Sequence, residues 1–92
     1  MNKEEKLPDA SFASLVLMLA TGAMQQLGLV ENPITKKKES NLNLAKITID
    51  ILSILKEKTK GNLDKEEDGF LDGLLYDLKM KYVKEVDKEK DT

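Results

Sequence analysis

The chain has 92 residues, 40% of them hydrophobic and 35% charged, with 15 lysines against 17 Asp and Glu for a net charge of -2. That is enough for one small domain, near the size where a single core only marginally offsets chain entropy, and the near-neutral balance supplies no global field for nucleic acid or anionic lipid. Cys, His, Arg and Trp are absent, which removes disulfides, thiolate and imidazole chemistry, sulfur metal sites and bidentate phosphate clamps, so neither an enzyme nor a bound cofactor or metal is expected.

Residues 1–8 are mixed in charge and read as a loose N-terminus. Pro8 and Asp9 supply a start signal, and Asp9 is the expected N-cap of a first helix over about 10–28. From Ala10 to Val30 no residue is charged. Phe12, Leu15, Val16, Leu19, Ala20 and Ala23 recur at three- and four-residue steps, and a second stripe through Ala13, Leu17 and Met24 overlaps the first. Such a helix cannot be left in water. Its remaining arc, Ser11, Ser14, Met18, Thr21 and Gln25, is neutral where a surface helix would carry Lys and Glu. Gly28 suits the left-handed position after the helix, with Leu29 folding back on Met24 as in a Schellman motif.

Residues 29–40 read as a loop, because Asn32-Pro33 favours a turn and Lys36, Lys37 and Lys38 repel one another. A second helix is expected over 41–60, capped by Ser40 or Asn41. One row of apolar residues runs Leu44, Ile47, Ile51, Ile54 and the next Ala45, Thr48, Leu52, Leu55, both read as core. Lys46, Asp50 and Ser53 lie opposite, Lys46 and Asp50 paired at i, i+4, and Ile49 falls near that polar side. Gly61 ends the helix. Asp64 and Glu67 form a capping-box pattern for a third helix over 64–86, and the short connection favours an antiparallel hairpin of helices 2 and 3. Leu71, Leu74, Leu75, Leu78 and Tyr82 form its core stripe, with Phe70 beside it and Tyr76, Met80 and Val83 on the flank. Residues 85–92 read as a charged disordered tail.

Several stretches together are similar to one family: Phe12-x-x-Leu15-x-x-x-Leu19-Ala20, Leu27-Gly-Leu-Val followed by Asn32-Pro33, Ala45-x-x-Thr48-Ile-Asp50-Ile-Leu52, Glu57-Lys-Thr-Lys-Gly61-Asn-Leu63, and Leu74-Leu-Tyr76-x-Leu78-x-x-x-Tyr82-Val83. In order and spacing they resemble the small bacterial proteins grouped as domain-of-unknown-function family 1844, over roughly residues 12–83. The resemblance implies a compact helical domain of a bacterial protein, and the lack of cysteine together with the acidic residues before the first helix leads to the expectation of a cytoplasmic one. It implies no activity and no ligand at any position.

Each alternative reading of these features meets a blander one. The uncharged run approaches the length of a membrane span, but Ser11, Ser14, Thr21, Gln25 and Gln26 dilute it and no Trp or Tyr marks its edges, so membrane insertion is not expected. Ala20-Thr-Gly22 resembles a signal cleavage pattern, but Glu4, Glu5 and Asp9 spoil the positive leader. Lys36 to Lys38 stand between Glu31 and Glu39 without an aromatic or Gly-rich cradle, which fits a solvated loop better than nucleic-acid binding. Asp68 and Asp72 share a helix face, but the acidic first turns of the third helix are explained by its dipole. Gly69 and Gly73 mark either a close helix contact or a tolerated exposed face.

The expectation is an all-α, three-helix, non-enzymatic interaction protein that forms a homo-oligomeric bundle through the uncovered face of its first helix. The candidate interface residues are Ser11, Ser14, Met18, Thr21, Gly22 and Gln25. An adaptor docking the same helix on a different protein is the alternative, and nucleic-acid binding through Lys36 to Lys38 a more remote one.

Overall fold

Two serines start the first helix. In the computed structural model, which describes residues 9–90, Ser11 Oγ accepts from the Ser14 N–H at 3.1 Å while Ser14 Oγ accepts from the Ser11 N–H at 2.9 Å. This reciprocal box makes Ser11 the N-cap, in place of the expected Asp9, and starts α1 at Phe12 (Phe12–Gln26). Asp9 lies two residues too early to satisfy the same amides. The helix ends as a Schellman motif: the Leu29 N–H donates to the Met24 carbonyl and the Gly28 N–H to the Gln25 carbonyl, both at 3.0 Å.

Gly28 has φ +78, and a Cβ placed on it would sit 3.1 Å from Ser40 Cβ. The close approach follows from an isolated antiparallel bridge between Leu27 and Ser40, reinforced by the Asn41 N–H donating to the Gln26 carbonyl at 2.7 Å. The end of α1 is thereby clamped to the start of α2 (Leu42–Lys58). Gly61, at φ +85, has open space around it. Gly28→Ala is therefore expected to cost about 1–2 kcal/mol in left-handed strain and to add a steric penalty. Gly61→Ala should carry the strain alone, and equal chemical-denaturation midpoints for the two variants would contradict the clamp.

Between these helices Asn32 Oδ1 accepts from the Ile34 N–H at 2.8 Å, turning the chain at Pro33 as its sequence suggests. Asn41 caps α2 by accepting from the Leu44 N–H at 3.0 Å. Asp64 and Glu67 close their box in both directions, at 2.8 and 3.0 Å, and begin α3 (Lys65–Lys90). α3 runs further than expected, through most of the stretch read as a disordered tail. Val86 and Glu85 are partly buried and Lys88 pairs with Glu85 at 3.2 Å, so the last turns retain both apolar and i, i+3 support. Residues 1–8 and the last two residues of that tail lie outside the described residues.

The three helices all pack on one another, and among the described residues there is no strand beyond the single bridge. α2 and α3 form the expected antiparallel hairpin, which places Lys56 against Asp68 and Asp72, and Lys46 near Tyr82. The core comprises Val16, Ala20 and Ala23 of α1 with Leu27, then Ala45, Ile49 and Leu52 of α2, then Leu71, Leu75 and Leu78 of α3. Phe12, Leu19, Leu55, Leu74 and Tyr82 close its edges. Thr48 is the buried polar residue of α2. Its hydroxyl donates to Gln26 Oε1 at 2.6 Å, with the Leu44 carbonyl at 3.1 Å, so no buried side-chain polar atom among the described residues lacks a partner.

Two assignments on α2 are overturned. Ile49, expected near the polar side, is buried, and the row Leu44, Ile47, Ile51, Ile54, expected in the core, is exposed. The reason is the placement of the neighbours. α1 covers the Thr48 side of α2 and α3 covers the Ile49 and Leu52 side, so the buried arc is centred about a third of a turn from the row with the most isoleucines.

Candidate interaction surface

On α1, the arc opposite the core is the one proposed from sequence. Ser14, Met18, Thr21, Gly22 and Gln25, together with Leu17, line one shallow depression on the outer surface. Met18 is 73% exposed and Leu17 and Leu15 about half exposed. Leu15 and Leu17 correct the sequence reading, which placed both on buried stripes. A single helix with two neighbours can hide only Val16, Ala20 and Ala23 fully. Ser11, the sixth candidate, is exposed beside the depression, and its hydroxyl, like that of Ser14, is committed to the helix cap.

The part of this surface missed by sequence reasoning is on α2. Gln26 contacts Thr48, so the residues in register with them mark where the two helices meet. Leu15 lies three turns before Gln26 on the same side of α1, and Leu44 and Ile51 lie one turn to either side of Thr48 on α2. Leu44 and Ile51 of the exposed row thus lie toward the α1 side of α2, where the junction of the two helices is lined by Gln25, Gln26, Ser40 and Asn41 as well as Leu44. A warning was present in the sequence. Apolar residues from Ile54 round to Ile49 cover more of the α2 circumference than one buried face requires.

Around that surface the charges are spent on each other. Lys46 pairs with Asp50 at 2.8 Å, as expected from their spacing, and the hydrogen bond that its ammonium donates to Asp50 raises the Lys46 pKa above its ordinary value. On the hairpin, Lys56 reaches both Asp72 and Asp68, and the Asp72 hydrogen bond raises its pKa likewise. A raised lysine pKa means that, on the lysine side, the contribution of these pairs is present below the ordinary lysine value and is lost as pH rises through the raised one. The two carboxylates considered as a cation site thus already share an ammonium. Among the described residues no three His, Cys, Asp or Glu side chains converge as metal ligands.

The remaining candidates are dispersed. Lys36, Lys37 and Lys38 are exposed, and Lys36 adopts φ 63, a left-handed conformation uncommon for a lysine. Gly69 and Gly73 face outward with open space above both, so neither marks a close helix contact within the chain. Tyr76 is exposed, whereas Tyr82 packs against the core edge. No described helix is long and apolar enough to cross a membrane.

No curated protein and no solved structure matches the chain significantly. A family model matches residues 9–84, spanning all three helices up to the last turns of α3. On that match the chain belongs to the family described as Domain of unknown function (DUF1844).

Proposed function

We propose that the protein is a non-enzymatic helical interaction module that self-associates through the exposed apolar faces of α1 and α2. The observation that carries this reading is the number of exposed large apolar side chains there: Leu15 and Met18 on one helix, and Leu44, Ile47, Ile51 and Ile54 on the other. No charged residue interrupts the α1 side, from Ala10 to Val30. Patches of this kind, with depleted charge at the centre, are characteristic of protein interfaces rather than of monomer surfaces. The absence of His, Cys and Arg from the chain weighs against catalysis.

Met18→Glu tests the reading, because a side chain 73% exposed in the single chain can take a charge without disturbing the core. Light scattering coupled to gel filtration should give a multiple of 10.3 kDa for the wild type and a single chain for the variant, with equal helix content by circular dichroism. A wild-type monomer at micromolar concentration that binds no hydrophobic dye would refute self-association. Recovery of one stoichiometric foreign protein instead of a second copy would favour the adaptor reading.

A further inference from the structure

The exposed row of α2 has a spacing that specifies what can cover it. Leu44, Ile47, Ile51 and Ile54 follow one another at steps of three, four and three residues, the seam spacing of helices packed at a shallow angle in a left-handed sense. Each of the four is 42–56% exposed, so in the single chain the seam has no partner.

Resting on the self-association reading, we propose that the occupant of this seam is the α2 helix of a second copy, running antiparallel about a two-fold axis that passes between Ile47 and Ile51. In that register Ile47 meets Ile51 of the partner subunit, and Leu44 meets Ile54 of the partner subunit. Charge selects this direction over the parallel one. The next seam position is Lys58, which a parallel pair would set against its own copy. The antiparallel register carries Lys58 to the other end, against Ser40 and next to Glu39. It also brings the positive N-terminal end of each α2 beside the negative C-terminal end of the other. A two-fold is the commonest closed symmetry, and it makes the seam self-complementary.

Because the chain contains no cysteine, single cysteines report the arrangement directly. Leu44→Cys and Ile54→Cys are prepared separately, then co-refolded and mildly oxidised. The mixture should yield a disulfide-linked heterodimer, and each variant alone should remain uncross-linked. Two copies of position 44 would lie about 15 Å apart along the helix axis, beyond disulfide reach. Cross-linking of each variant with itself would establish a parallel seam and overturn the proposal. A wild-type dimer whose mixed variants do not cross-link would overturn the antiparallel seam while leaving self-association standing. A wild-type monomer would remove both.

Discussion

Ala20→Glu is expected to abolish cooperative folding at neutral pH. Ala20 is 4% exposed and sits in the core between Val16 and Ala23, and the side chains around it there are aliphatic. A glutamate there must either overfill the packing or carry its charge into an apolar site, and an unpaired buried charge costs several kcal/mol. A domain of this size holds a total stability of about 5–14 kcal/mol. The effect should depend on pH in a defined direction. Burial raises the folded-state pKa of the new carboxyl above the unfolded value, so the penalty is full above the raised pKa and diminishes as pH falls toward about 4.3. Thermal unfolding followed by circular dichroism at neutral and mildly acidic pH measures both parts. Ser53→Glu serves as the control, since Ser53 is half-buried beside Lys56 and Lys79 at the rim of the hairpin. A wild-type melting curve for Ala20→Glu would mean that the core face of α1 is assigned incorrectly.

The second large effect is expected at Leu52, which has no exposed surface and is the most enclosed large side chain of α2. Truncation to alanine removes buried methyl groups and leaves a cavity that three short helices can only partly collapse. Such changes cost about 2–5 kcal/mol. For a domain under 100 residues this lowers the melting temperature by roughly 10–30 °C. Ile34→Ala supplies the comparison: Ile34 is 88% exposed in the loop, and its loss should move stability by less than about 0.5 kcal/mol. The contrast separates apolar residues that hold the monomer together from those that do not. Leu52→Ala should act through folding at every protein concentration, whereas changes on the outward α2 row should act through association and depend on concentration.

Where one stripe of apolar residues stood alone, the sequence located its face correctly. Leu71, Leu75 and Leu78 of α3 are buried, and Tyr76, Met80 and Val83 are exposed on the flank, as their spacing implies. Where two stripes overlapped, it did not. On α1 the overlap gave Leu15 and Leu17 to the core, and on α2 it gave the core the row that faces outward. Periodicity reports that a residue belongs to an apolar face, and two such faces on one helix are indistinguishable until their neighbours are placed. For the same reason half of the proposed surface was legible and half was not. The α1 arc stood out because it lacks charge, whereas the α2 row carries the same residue types as a core.

By itself, the sequence determined the three helices, the Schellman stop at Gly28, the box of Asp64 with Glu67, the pair of Lys46 with Asp50 and the antiparallel hairpin. Each depends on residues within a few positions of one another or on one short connection, so local hydrogen bonding and chain reach settle it. The Ser11–Ser14 box that caps α1 is equally local, although Asp9 presents the more conspicuous cap. Tertiary structure alone decided that α3 continues to Lys90, and which stripe of α2 is buried. The last depends on the direction from which α1 and α3 approach. That direction is set by the clamp of Leu27 on Ser40 and by contacts between side chains far apart in the chain, and no pattern along a single helix records it.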